Sequence, residues 1–333
     1  MTLHTTSSDK AVFSVPGKGR IATVFGGSGF IGSQIVRELA AQGWVVRVAV
    51  RRPSRALELK TSGDVGQVLP MVATTTDRNS VRAAVSGACL VVNATGILFE
   101  TKTQTFDGIH NKGPAFIAEA CKDFGVDRLV HISALGADIQ SNSDYARSKA
   151  AGEEAVFNRF KSATILRPSV VFGPEDQLFN RFGLMARTAP MLPLIGGGET
   201  KLQPVYVGDV ADAALSALAN PSTRGQTYEL GGPEVVTFKE LLTYLLKLVR
   251  RNRRLQSISF GFAKFIAKFA QLLPNPVLTV DQVKLLKADN VVDSQAKGLG
   301  DLGIKPTSMD AIVPSYVEQY RAGGRFTVRK QIK

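Results

Sequence analysis

A short apolar run, Ile21-Ala22-Thr23-Val24-Phe25, meets a glycine-rich turn, Gly26-Gly27-Ser28-Gly29, and then an amphipathic stretch that begins Phe30-Ile31-Gly32 and continues to Leu39. The run reads as a buried strand and Ile31 to Leu39 as a helix. Strand, glycine turn and helix in this order constrain the fold strongly. Glycines allow the chain to turn tightly and let a ligand approach the backbone where a Cβ would block it. The helix that follows presents unpaired amides and the positive end of its dipole, a site suited to a pyrophosphate. Gly26, Gly27, Ser28, Gly29, Phe30, Ile31 and Gly32 are therefore candidate dinucleotide-binding residues.

The next segments extend that reading. Short apolar runs recur at Trp44 to Val50, Val68 to Val72, Leu90 to Asn93, Arg128 to Ile132 and Ile165 to Pro168, with helical patterns between them. Near-continuous apolar strands alternating with helices predict a parallel sheet covered on both faces. The expected fold class is α/β, a doubly wound nucleotide-binding domain. Beyond Gly173 the pattern is broken by Pro174, Pro190, Pro193 and Gly196-Gly197-Gly198. Gln203 to Val207 reads as a strand returning to the sheet, followed by a helix from Val210 to Leu218. The expected division is a lead-in over 1–18, a nucleotide-binding domain over 19–172 with a return segment at about 202–232, and a smaller, interleaved, mainly helical domain formed by 173–201 and 233–333.

Composition narrows the class. No apolar run in the 333 residues is long enough to span a bilayer. Met1 to Lys18 has no apolar core of a secretory signal, lacks arginine and carries Asp9, so neither a signal nor a mitochondrial leader is expected. Cys89, Cys121, His4, His110 and His131 have no ligand spacing, so no metal is expected, and the cysteines read as small core residues. The net charge of +13 points to an acidic partner. No nucleic-acid-binding motif accompanies it, which favours anionic lipid or protein over nucleic acid.

The end of the second strand bears on nucleotide choice. A carboxylate there would serve a ribose 2′-hydroxyl, whereas an arginine accommodates a 2′-phosphate. The sequence is Val48-Ala49-Val50-Arg51-Arg52-Pro53, with no acid nearby. A guanidinium grips phosphate through paired hydrogen bonds, so NADP(H) is expected, held by Arg51 and Arg52. Further on, Tyr145 and Lys149 are four residues apart and share one face of a helix. An ammonium beside a phenol is expected to lower its pKa from about 10. Ser133, at the end of the fifth strand, stands where a substrate carbonyl could be oriented. Ser133, Tyr145 and Lys149 form the candidate catalytic set.

Taken together, these residues resemble the extended or atypical branch of the short-chain dehydrogenase/reductase superfamily over roughly residues 18 to 320. The glycine loop, Asn93-Ala94-Thr95-Gly96, the Ser133/Tyr145/Lys149 set, Arg167 to Pro174 and Val205 to Ala211 fall in that superfamily's order. The resemblance implies that Asn93, Ala94, Thr95 and Gly96 lie along the cofactor and that Pro168 to Val171 approaches the nicotinamide. A narrower resemblance is carried by His110 to Pro114, His131 to Ala137, Phe172 to Asp176, Leu194 to Lys201 and Leu230 to Pro233. These stretches look like the accessory-subunit family of respiratory complex I and its bacterial relatives. That implies tightly bound, largely structural NADPH, complex I subunits as partners, and a bacterial cytoplasmic location peripheral to the inner membrane, or alternatively the mitochondrial matrix side. An independent reductase, epimerase or dehydratase is the competing reading. One departure stands out: catalytic relatives carry Asn-x-x-Gly on the helix after the fourth strand, and here His110 occupies the asparagine position, beside Asn111.

The C-terminal third is basic and helical in pattern. Phe262, Phe265, Ile266, Phe269 and Leu273 share one helical face, and Lys264, Lys268 and Gln271 another. Two readings stand: the stripe packs the second domain, or it docks on an anionic membrane or protein. Basic clusters at Arg250 to Arg254 and Arg325 to Lys333 fit the second.

Overall fold

The computed structural model describes residues 17, 19–271, 276 and 278–323. The lead-in other than Gly17, Leu273 and the basic tail from Arg325 lie outside them.

The first half alternates as the pattern predicts: β1 (Ile21–Phe25), α1 (Phe30–Ala41), β2 (Val45–Val50), β3 (Val68–Val72), α2 (Arg78–Val85), β4 (Leu90–Asn93), α3 (Gly113–Asp123), β5 (Arg128–Ile132), α4 (Asp144–Arg159) and β6 (Thr164–Pro168). One crossover differs. Between β2 and β3 the chain forms a 3-10 segment, Pro53–Ser62, in place of an α-helix. After β6 come β7 (Val171–Phe172), α5 (Phe179–Thr188), β8 (Met191–Ile195), β9 (Lys201–Leu202), β10 (Val205–Tyr206), α6 (Val207–Ala219) and β11 (Thr227–Leu230). The remainder is β12 (Val236–Thr237), α7 (Phe238–Leu248), β13 (Arg254–Ile258), α8 (Phe260–Ala270), α9 (Val280–Leu285) and α10 (Met309–Val317).

The main sheet has seven strands in the order β11-β6-β5-β4-β1-β2-β3, every pair parallel. The order reverses beside β1, between β4 and β2. Ligands of open α/β sheets bind at such a switch point, outside the carboxyl ends of the strands. Alternate residues of the strands face opposite layers. Val24, Val92, Val130 and Leu166 pack with α1 and α6, while Val91, Leu129 and Ile165 pack with α2, α3 and α4. Both faces of the sheet are buried against helices, which explains the near-continuous apolar runs.

The returning strand is not where the sequence suggested. Among the described residues Val205–Tyr206 pairs with Val171–Phe172 alone, in a separate two-stranded ribbon. Thr227–Leu230 is the strand that rejoins the main sheet, at the edge beside β6. The misread segment is an apolar run that packs well in either place, so its pattern does not select one. At the basic cluster α7 stops at Leu248, and Arg254 opens strand β13, which runs parallel to β8.

A third core lies between α5, α7 and α10, built on Phe179, Leu241, Leu242, Leu245 and Val313. A smaller one joins α8 to α9 through Ala263, Ala267 and Val283. Among the described residues no helix is long and apolar enough to cross a membrane.

Candidate functional site

The glycine turn sits at the switch point. Gly26 adopts φ 73°, and a Cβ there would stand 2.8 Å from the Ala94 carbonyl oxygen. A Cβ on Gly32 would stand 2.3 Å from the Gly26 carbonyl oxygen, so no other residue keeps this turn. The Gly29 amide donates to the Gly26 carbonyl at 2.9 Å and closes the turn. No side chain caps α1, and its first turn carries no acid. Its leading amides are thus left for an anion, the arrangement expected for a pyrophosphate.

Arg51 and Arg52 leave the carboxyl end of β2 with exposed side chains. Neither forms an ion pair with a described residue, so both guanidinium groups are available beside the carboxyl end of β2.

The segment after β4 is fixed from inside. Asn93 is buried, and its carboxamide oxygen accepts from the Thr95 amide at 3.1 Å and the Thr95 hydroxyl at 2.6 Å. Its NH₂ donates to His131 Nδ1 at 3.0 Å. The Asn93 side chain therefore shapes the loop, and Ala94, Thr95 and Gly96 provide the surface a cofactor would meet. The His131 imidazole then carries its proton on Nε2, which is buried without a partner. Burial first, and the Lys149 charge second, hold His131 neutral.

The α4 helix carries the remaining groups. Ser143 caps it, accepting from the Ala146 amide. The Asp281 carboxylate of α9 accepts from Ser143 Oγ at 2.7 Å, from the Asp144 amide at 2.8 Å and from the Tyr145 amide at 3.0 Å. One turn in, the Lys149 ammonium donates to the Ile132 carbonyl at 2.9 Å. Further along, Glu153 forms a forked pair with Arg167 of β6. The helix is thus tied to the sheet along its length. Ser133 Oγ, just past β5, is buried with no partner among the described residues, while the Ser133 amide donates to the Leu166 carbonyl. Pro168 ends β6 and Val171 begins β7, both beside this end of the sheet.

The electrostatics run against one expectation. Burial pushes the Tyr145 phenol up to about 12 and lowers Lys149 to about 8. The lysine does not bring the phenol down, because desolvation dominates at both groups and the ammonium is turned to a backbone carbonyl. The Tyr145 ring is enclosed by Phe106, at 6.0 Å edge-on, and His110, at 5.4 Å edge-on.

His110 is locked. Its Nε2 accepts the Ile97 amide at 3.0 Å, and its Nδ1 donates to Ser148 Oγ at 2.8 Å. Ser148 Oγ passes its own proton to the Tyr145 carbonyl at 2.7 Å. Burial first, and the Lys149 charge second, lower His110 to about 3. It is therefore a neutral strut between the β4 loop and α4, with no lone pair to receive a proton. Asn111 turns away to Asp107, in a π-helical segment, Asp107–Lys112, that precedes α3.

The structure brings the glycine loop, Arg51, Asn93 to Gly96, Ser133, Tyr145, Lys149 and Pro168 to the carboxyl edge of one sheet. It adds groups that the sequence reading did not place there. His131 could have been found from strand order, since β4 and β5 are neighbours and pair Asn93 with His131. Asp281 gave no local signal, because its partners lie more than a hundred residues away.

A dinucleotide fits these residues: an uncapped helix N-terminus, a glycine cradle that a Cβ would fill, and the buried, unpartnered Ser133 hydroxyl all face one region. Comparison with known proteins agrees in family and fold. The chain is 38% identical over 318 residues, 92% of its length and 79% of the relative's, to NADH dehydrogenase [ubiquinone] 1 alpha subcomplex subunit 9, mitochondrial, of Arabidopsis thaliana. It is 34% identical over 295 residues, 88% of its length and 78% of the relative's, to the Mus musculus protein of the same name. Among solved structures it resembles NADPH-dependent quinone oxidoreductase QOR2 complexed with NADPH from Escherichia coli, with TM-score 0.70, 19% identity and coverage of 89% of this chain and 99% of that one. It also resembles DesIV, a dTDP-glucose 4,6-dehydratase of Streptomyces venezuelae with NAD and TYD bound, with TM-score 0.67, 20% identity and coverage of 90% and 96%. The profile of the NAD dependent epimerase/dehydratase family matches residues 22–231, and the chain belongs to that family, the extended branch of the short-chain dehydrogenase/reductases.

Proposed function

We propose that this protein binds NADP(H) chiefly as a structural element and serves as an accessory or assembly component of respiratory complex I. The observation that carries the reading is the state of the Tyr145/Lys149/His110 group. At neutral pH the phenol keeps its proton, with its pKa near 12. The neighbouring ammonium is committed to the Ile132 carbonyl. His110, locked by the Ile97 amide, does not pass protons. These side chains hold and orient, and nothing beside the phenol draws its pKa toward neutrality.

In this reading the α1 amides and the glycine turn hold the pyrophosphate, Arg51 with Arg52 holds the 2′-phosphate, and Ala94 to Gly96 lies along the nucleotide. Tyr145, Lys149 and Ser133 face the nicotinamide end, with Pro168 and Val171 beside it. When bound, the nicotinamide supplies hydride chemistry. A ligand bound only by the folded chain also stabilises it, here by bridging β1, β2, β4 and α4. The names of the relatives support complex I subunits as partners, and the basic C-terminal region supports contact with an anionic membrane surface. A bacterial cytoplasmic location, peripheral to the inner membrane, fits both; the matrix side of the mitochondrial inner membrane is the alternative.

One observation favours a second reading, an independent reductase, epimerase or dehydratase: the Ser133 hydroxyl is buried, unpartnered and free to meet a substrate oxygen. The test is turnover by the purified protein with its bound nucleotide, together with affinity purification from its own cells. Co-purification with complex I subunits and no turnover is expected. Turnover that Tyr145→Phe abolishes overturns the structural reading.

A further inference from the structure

Helix α8 is turned the wrong way round for a helix that only fills a core. Its small residues, Ala263 and Ala267, are buried against Ile195 and Val283. Its large apolar residues face outward: Phe262, Phe265 and Phe269 are 57%, 59% and 60% exposed, and Ile266 is 40% exposed. At spacings of three and four residues these side chains form one continuous stripe. Phe265 and Phe269 meet edge-on at 5.1 Å, so the stripe is a built surface rather than scattered exposure. Of the two sequence readings of this stripe, packing of the second domain holds for Ala263 and Ala267, while Phe262, Phe265 and Phe269 are left exposed among the described residues.

The chain segment that carries the stripe has charge of a single sign. Between Glu240 and Asp281 there is no aspartate or glutamate, whereas Lys247, Arg250, Arg251, Arg253, Arg254, Lys264 and Lys268 all fall there. Lys264 and Lys268 lie one turn apart along an exposed edge of α8. Long lysine stems can lie along apolar surface while their heads reach toward anions. The stripe itself has no hydroxyl, amide or indole to satisfy a polar groove.

The geometry points to α8 as an in-plane membrane anchor. Phe262, Phe265, Ile266 and Phe269 would enter the headgroup–acyl boundary of an anionic bilayer, with Lys264 and Lys268 among the lipid phosphates. This inference deepens the docking half of the proposed function and is independent of the nucleotide half.

The test uses the full-length protein and protein-free vesicles, of phosphatidylcholine alone or of phosphatidylcholine with phosphatidylglycerol. The first expected result is flotation with the anionic vesicles. Phe265→Ala/Phe269→Ala is expected to weaken partitioning by at least on the order of 100-fold, the lower end of what burying two phenylalanines is worth. Lys264→Gln/Lys268→Gln is expected to weaken binding to anionic vesicles by on the order of 10-fold, from about 1 kcal/mol per cation. These side chains are exposed, so both variants should melt and retain nucleotide like the parent, which separates this inference from the nucleotide reading. Parent protein that fails to float, binding indifferent to both variants, binding only to complex I protein, or self-association through the stripe in place of lipid binding would each overturn it.

Discussion

Asp281 offers the sharpest test of how the site is held together. Its carboxylate lies at the N-terminus of α4 and takes hydrogen bonds from Ser143 Oγ and from the Asp144 and Tyr145 amides. Lys284 completes the cluster at 3.5 Å. A hydrogen bond to a charged group contributes about 1.5–3 kcal/mol, and an anion at a helix N-terminus about 0.3–1 kcal/mol. These terms overlap, and water can re-solvate part of a frayed first turn, so Asp281→Ala should cost about 2–4 kcal/mol. At about 2 cal/mol/K per residue for unfolding entropy, 333 residues turn that into a fall in Tm of about 3–6 °C. Asp281→Asn keeps a carbonyl acceptor and should lose roughly half as much. Because Tyr145 and Lys149 stand on the helix that Asp281 caps, NADPH affinity should fall with stability. The sign of the pH effect follows from the depressed pKa of Asp281. The stabilisation is present above the ordinary carboxylate range and is lost as pH falls through the lowered folded value. The assay is thermal and urea unfolding of parent and variants, with and without NADPH. An Asp281→Ala protein that melts within about 1 °C of the parent and binds NADPH equally would refute the capping argument.

Arg51→Ala should cut the preference for NADPH over NADH on the order of 10–100-fold, since it removes a charge-assisted phosphate contact of about 1.5–3 kcal/mol; competition binding reads it, and an unchanged ratio contradicts the assignment. His110→Ala should destabilise by about 1–3 kcal/mol by leaving the Ile97 amide unsatisfied, as read by urea unfolding. Because the buried His110 stays neutral down to about 3 while an unfolded histidine takes a proton below about 6.5, parent stability is expected to fall as pH drops below that value, and His110→Ala should reduce this slope. Lys149 titrates at about 8 in place of 10.5, so between those values the unfolded chain binds more protons and this group's contribution to stability rises with pH. Lys149→Met should flatten that alkaline rise in urea midpoints; an identical slope would count against the buried, carbonyl-bound lysine.

The parts of the fold visible in the sequence were those written in local pattern. The strand–glycine–helix opening and the apolar runs of β2 to β6 suffice for a parallel sheet, because strands buried on both faces leave no polar alternation to confuse them. The Val205–Tyr206 segment failed that test: two apolar residues after a proline can pair with β7 as readily as with the main sheet, and only tertiary packing selects β7. The crossover Pro53–Ser62 has few large apolar residues to bury, so it packs as a 3-10 segment around Ala56 and Leu59. At the site, Tyr145 and Lys149 were legible as a helical pair, but the direction of their pKa shifts was not. Spacing reports proximity; burial, which here outweighs the charge interaction, exists only in the folded chain. The capping of α4 by Asp281 and the Ile97–His110–Ser148 strut are long-range contacts with no sequence period. For α8 the period was clear, and the face it buries was not, since Ala263 and Ala267 and the phenylalanine stripe are equally helical in spacing.

The central claim is that the glycine loop and Arg51 hold NADP(H) in a protein that does not use it for turnover. The most direct measurement is to denature the protein purified from its own cells, identify the released nucleotide, and follow its exchange against added NADPH beforehand. Released NADP(H) is expected, close to one per chain, exchanging slowly and unchanged in redox state by carbonyl, sugar-nucleotide or quinone substrates. Release of NAD(H), or a bound nucleotide that cycles rapidly with such a substrate, would contradict it.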